Sequence, residues 1–183
     1  ELVQQLAAAD RRPQQRMAEI QAALRVNFRP ILDRARDRLS KNQLDEAQRD
    51  FERVLAAEPQ NRQARAGLQM IRSRRTENIF ERGKAAFEAA DYLTALSIFL
   101  EVLEADDQHR RARDYLERTR AILRPQVELY YRAGLQYYMS DKYQAALDAW
   151  NTVLLIEPSH RDTLEYKKRA EEKMRALQKL ETP

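Results

Sequence analysis

Along residues 143–160, YQAALDAWNTVLLIEPSH, the apolar side chains fall at Tyr143, Ala146, Leu147, Trp150, Val153 and Leu154. That is the spacing of one helix face, and it stops at Pro158. The same pattern occurs twice earlier, in LDEAQRDFERVLAAEPQN from Leu44 and in YLTALSIFLEVLEADDQH from Tyr92. In register, Ala47, Ala95 and Ala146 form a small-residue column and Phe51, Phe99 and Trp150 an aromatic one. Val54, Val102 and Val153 follow one turn later, and Pro59, Asp107 and Pro158 close the units. Twelve residues before each alanine stands a second small residue, Ala35, Gly83 or Gly134, inside another helical pattern. Each unit is therefore predicted to be a helix hairpin whose helices approach closely because neither carries bulk at the crossing.

These columns resemble the tetratricopeptide repeat (TPR) family, with its small residue in the first helix, its alanine and aromatic in the second, and its closing proline. The three copies lie at about 30–59, 78–107 and 129–158. The last is the clearest, whereas the first carries Arg34 and Arg38 where the family usually has apolar or aromatic groups. The resemblance implies an all-α fold, a right-handed α-solenoid of three TPR-like helix hairpins with extended connecting helices. It also implies a non-catalytic protein–protein interaction scaffold that offers a concave surface to a protein or peptide partner.

The period departs from the family. Ala47 to Ala95 spans 48 residues and Ala95 to Ala146 spans 51, against about 34. An addition of 14 residues is close to four turns at about 3.6 residues per turn, so a continuous helix returns to nearly the same face. A long helix is predicted near 60–89, with Ala64, Leu68 and Ile71 on the preceding hairpin, Ile79, Gly83 and Phe87 opening the next, and polar residues 72–78 between. The second addition keeps phase less well, and Pro125 predicts a kink or break near Arg124. Residues 1–29 are expected to form leading helices that cover one end of the array, and 159–183 a helix that caps the other.

Composition fits this picture. Three glycines and six prolines in a chain rich in Ala, Leu, Gln, Glu and Arg leave little material for hairpin turns, so almost no strand is expected. No apolar run approaches the roughly 18 residues of a membrane span, which predicts a soluble chain. The absence of cysteine excludes disulfides, thiolate metal sites and cysteine nucleophiles. Arginine dominates the basic residues, a bias pointing to a GC-rich bacterial coding sequence; envelope, secretion or motility assemblies, and a periplasmic or cytoplasmic location, are the settings that analogy suggests. The net charge of +4 is uneven, with 16 basic against 10 acidic residues in 1–75 and near balance beyond.

Candidate chemistry is sparse. His109 and His160 share one column with Asn61, and each is followed by Arg, which marks a polar helix-start residue repeated three times rather than a metal pair. No acid pair, Ser/His/Asp arrangement or phosphate-cradling glycine loop appears, so neither catalytic residues nor a cofactor or metal is expected. The remaining signal is a second stripe on the helix ELYYRAGLQYYM, formed by Tyr131, Leu135 and Tyr138. Its equivalents are Phe80, Lys84 and Phe87 in the second copy, and Leu32, Arg36 and Leu39 in the first.

In tetratricopeptide proteins the corresponding stripe lines the concave groove, which makes Phe80, Lys84, Phe87, Tyr131, Leu135, Tyr138 and Arg36 the candidate partner-binding residues. Elongated helices packing on one another would use the same stripe, and both readings stand at this level. Members that clamp acidic chaperone tails carry Lys and Asn there, so that role is not expected here. A basic cluster, Arg62, Arg65, Arg72, Arg74 and Arg75 with Arg34, Arg36 and Arg38, offers a different function, contact with nucleic acid or anionic lipid. Interspersed Asp33, Asp37, Asp50, Glu77 and Glu81 favour local ion pairs and argue against nucleic acid. A purely structural spacer or self-associating module of a larger protein is the remaining alternative.

Overall fold

The computed structural model describes residues 28–181, which are helical apart from short turns, with no strand among them. Helix α1 covers 28–40, α2 Leu44–Ala57, α3 Arg62–Glu88, α4 Tyr92–Ala105 and α5 Arg110–Leu123. A 3-10 turn, Arg124–Gln126, precedes α6, Val127–Met139, followed by α7, Tyr143–Ile156, and α8, Arg161–Glu181. The long helix and the break at Pro125 thus stand where the spacing predicts them. The leading helices expected over 1–29 lie, except for 28 and 29, outside the described residues.

The three predicted hairpin turns are built alike. Asn42, Ala90 and Asp141, one column of the repeat, all adopt left-handed backbone with φ of 60°, 60° and 57°. Around them the amides of Gln43, Asp91 and Lys142 donate to the carbonyls of Arg38, Ala86 and Tyr137, each at 2.9 Å. Those of Asn42, Ala90 and Asp141 donate to Leu39, Phe87 and Tyr138. This double closure satisfies the last carbonyls of the first helix, although no glycine occupies the left-handed position. The second helix of each hairpin ends with the amides of Glu58, Asp106 and Glu157 on the carbonyls of Val54, Val102 and Val153. Asp107 replaces proline in the middle turn, where the Asp106 carboxylate accepts the Gln108 amide at 3.0 Å and fixes the turn locally.

The chain divides into two compact units, one ending at Arg75 and one beginning at Thr76, so that the division falls inside α3. In the first, Leu32, Ala35 and Leu39 of α1, Ala47, Phe51 and Val54 of α2, and Ala64 and Ile71 of α3 share a core. In the second, one core gathers Phe80, Ala95, Leu96, Phe99, Val102, Leu116 and Leu123 with Val153 and Ile156, and another joins Ala146, Leu147 and Trp150 to Ala170 of α8.

The small-residue columns carry the close approach. A Cβ at Gly83 would lie 2.8 Å from the Phe99 ring, and one at Gly134 would overlap the indole of Trp150. That indole is fully buried and donates from Nε1 to the Tyr131 carbonyl at 3.2 Å, so glycine at 134 positions both ring and hydrogen bond.

Candidate functional site

The second stripe is neither wholly core nor wholly surface. Phe80 is fully buried, with rings of Phe99, His109 and Tyr115 within 5.0–5.9 Å, and so has no face left for a partner. Its place in the candidate groove is lost to packing within the elongated repeat. Lys84, Phe87, Tyr131, Leu135 and Tyr138 are half-buried. Phe87 meets Tyr115 edge-on at 5.3 Å, and Tyr138 meets Tyr166 edge-on at 6.0 Å, a relation that recurs in two copies.

Both tyrosines are capped by arginine. The Arg118 guanidinium lies over Phe87 and Tyr115 at 5.2 and 4.9 Å, and Arg169 lies over Tyr166 at 5.3 Å. Lys84 is held between Glu81 and Glu88, at 4.0 and 3.6 Å, so its charge is shared on its own helix. Burial, before any neighbouring charge, raises the Tyr131 hydroxyl above the usual phenol range.

Asn61, His109 and His160 do the same work three times. Asn61 Oδ1 accepts the Ala64 amide at 3.0 Å, His109 Nδ1 that of Ala112 at 3.1 Å, and His160 Nδ1 that of Thr163 at 3.2 Å. Each therefore satisfies a free amide of the helix it begins. Among the described residues no cluster of three or more His, Cys, Asp or Glu could hold a metal ion.

Among the described residues of the first unit, four arginines find acidic partners. Arg34 makes a two-pronged contact with Asp50, 2.9 Å in each bond, and Arg38 reaches the same carboxylate at 2.6 Å. These two departures from the family pattern are thus explained by one buried acid. The Arg34 hydrogen bonds hold the Asp50 carboxyl below its ordinary range, opposing its burial and helped by the Arg38 charge. Arg36 pairs with Asp33 at 2.9 Å and Arg75 with Asp45 at 2.5 Å. A surface engaged in this way has fewer free cations for phosphate than the sequence count suggests.

Arg36 also borders a feature that the sequence reading missed. Leu39, Phe51, Ala66, Gly67 and Met70 line a cavity of about 500 Å³, with Arg36 and Arg74 among its polar neighbours. The signal lay in one more column of the repeat: counting from Asn61, His109 and His160, the sixth following residue is Gly67, Tyr115 or Tyr166. Gly67 has no side chain where the other copies place a tyrosine, and a Cβ there would run into the Phe51 ring.

No protein-family model matches the chain. It is similar to bovine (Bos taurus) DnaJ homolog subfamily C member 3, 22% identical over 141 aligned residues that cover 67% of this chain and 28% of that protein. The mouse (Mus musculus) protein of the same name is 22% identical over 158 residues, covering 76% and 31%. The human (Homo sapiens) one is 23% identical over 141, covering 67% and 28%. The chain thus spans less than a third of the length of these curated relatives. All three are mammalian and lend no support to a bacterial source. No helix among the described residues is long and apolar enough to cross a membrane.

Proposed function

We propose that the chain is a tetratricopeptide-like, non-catalytic interaction module whose helical repeats, stacked as a right-handed solenoid, hold an extended or helical segment of a protein partner. The observation that carries the reading is the half-buried row of Phe87, Tyr131, Leu135 and Tyr138. Rings wedged against Tyr115 and Tyr166 are already ordered, so a partner that covers their open faces gains apolar burial without ordering those side chains anew. Lys84 supplies a polar edge. Distant similarity to DnaJ homolog subfamily C member 3 supports a protein partner in general terms. A bacterial envelope, secretion or motility setting rests only on analogy with other elongated repeats, and the bacterial source on the arginine bias.

The test is site-specific photo-crosslinking with p-benzoylphenylalanine at position 138 and, as control, at Met139, which is 83% exposed. A partner from the source cell should be trapped from position 138 and not from 139. Equal trapping from both, or trapping only of salt-labile nucleic acid, overturns the groove.

A further inference from the structure

Resting on that reading of the chain as an interaction module, we propose that the cavity beside Gly67 is a docking site for one aromatic side chain of an acidic partner peptide. The repeat itself supplies the template. In the second copy Tyr115 lies with its ring 5.3 Å from both Phe87 and Phe99. In the third, Tyr166 lies 6.0 Å from Tyr138 and 5.8 Å from Trp150. The first copy omits the ring, because the tyrosine column holds Gly67; the Phe51 ring closes on the vacated Cβ position, and the opening that remains is walled by Leu39, Ala66 and Met70.

The neighbouring column changes with it. Arg118 and Arg169, which lie over those tyrosines, are replaced by Met70, which is 59% exposed and lines the cavity. Methionine adapts its shape and makes favourable contacts with ring edges. About 500 Å³ is ample for one aromatic side chain with its flanking backbone.

Charge selects the rest of the occupant. No carboxylate lines the cavity, while Arg36 and Arg74 do. Arg74 has no ion-pair partner among the described residues, and Arg36 shares its charge only with exposed Asp33. Acidic residues flanking the aromatic would meet both guanidinium groups, as phosphate-free recognition by arginine requires.

The experiment uses the full 15N-labelled chain and two synthetic peptides, acetyl-Glu-Glu-Tyr-Glu-Glu-amide and the same peptide with alanine in place of tyrosine. The tyrosine peptide should shift the amides of Leu39, Ala66, Gly67 and Met70, and the alanine peptide should bind at least about tenfold more weakly. Ala66→Trp, at an exposed cavity-wall position, should plug the site and lose binding with the fold retained. Arg36→Glu with Arg74→Glu should weaken the tyrosine peptide to a similar degree. Equal binding of the two peptides, shifts confined to residues after Thr76, or no shifts at all overturn the cavity proposal. If crosslinks from position 138 still trap a partner, only this inference has failed; if those are absent too, the interaction reading fails with it.

Discussion

The two compact units solve one packing problem with different chemistry. Both pair a small residue of one helix with an aromatic of the next, Gly83 against Phe99 and Gly134 against Trp150 in one and Ala35 sharing a core with Phe51 in the other, and both bury the valine that follows. Around that shared frame they diverge. The unit from Thr76 onward fills its remaining columns with rings, whereas the unit ending at Arg75 has Gly67 in the tyrosine column and Asp50, with Arg34 and Arg38, where the later copies have Ile98 and Ala149. The frame is thus what the repeat needs, and the columns beside it are free to become apolar contact, ion pair or cavity. An Arg–Asp–Arg cluster orients its helices while contributing less net stability than apolar packing would, since desolvation offsets much of the attraction.

Removing the ring at the centre of each unit should separate them most. Trp150→Ala should cost about 3–5 kcal/mol, and Phe51→Ala should fall at or below the lower end of that range, because one side of Phe51 already faces a cavity. Urea unfolding of both variants, followed by circular dichroism, measures the difference; equal losses would break the comparison.

Adding a single methyl should separate them next. At Gly134 it meets a fully buried indole tied by its hydrogen bond, so Gly134→Ala should destabilise by about 1–3 kcal/mol. At Gly67 the Phe51 ring has the cavity to move into, and the helix gains about 0.5–1 kcal/mol from replacing glycine. Gly67→Ala should therefore be close to neutral in thermal melting.

Acid should act on the first unit through Asp50. Its carboxyl is held low in the folded chain by Arg34 and Arg38, whereas the unfolded value is about 3.9. The stability this supplies is complete above the unfolded value and is lost as pH falls through the depressed folded one. Asp50→Asn should flatten that acid limb of a urea-midpoint profile, with the smallest effect of the three near neutral pH, where solvent screens the half-exposed arginines. Parallel profiles for wild type and variant would remove Asp50 from the account.

Much of the frame was legible because it recurs. Three aligned alanines, three aromatics and three helix-start residues give hairpins, caps and the long helix α3 from spacing alone. The stripe was legible only as a stripe: Phe80 and Tyr131 occupy one column, yet Phe80 is fully enclosed and Tyr131 is half-open. The following helix brings the same two rings to both, His109 and Tyr115 to Phe80 and His160 and Tyr166 to Tyr131, but Arg111 also lies over Phe80 at 4.2 Å where the third copy has Asp162. The ion cluster was hidden for a similar reason, since Asp50 reads as one exposed charge among many until Arg34 and Arg38 converge on it. The cavity is marked by a residue with no side chain, and its signal appears only against the tyrosines of the other copies.

The aromatic imbalance between the units also makes the molecule optically lopsided. All eight tyrosines and the single tryptophan lie at Tyr92 or later, and Trp150 has Tyr138 and Tyr166 rings within 6 Å to pass it excitation. Native emission therefore belongs to the later unit alone, and the earlier one unfolds, refolds or takes up a ligand in the dark unless it is given a fluorophore of its own.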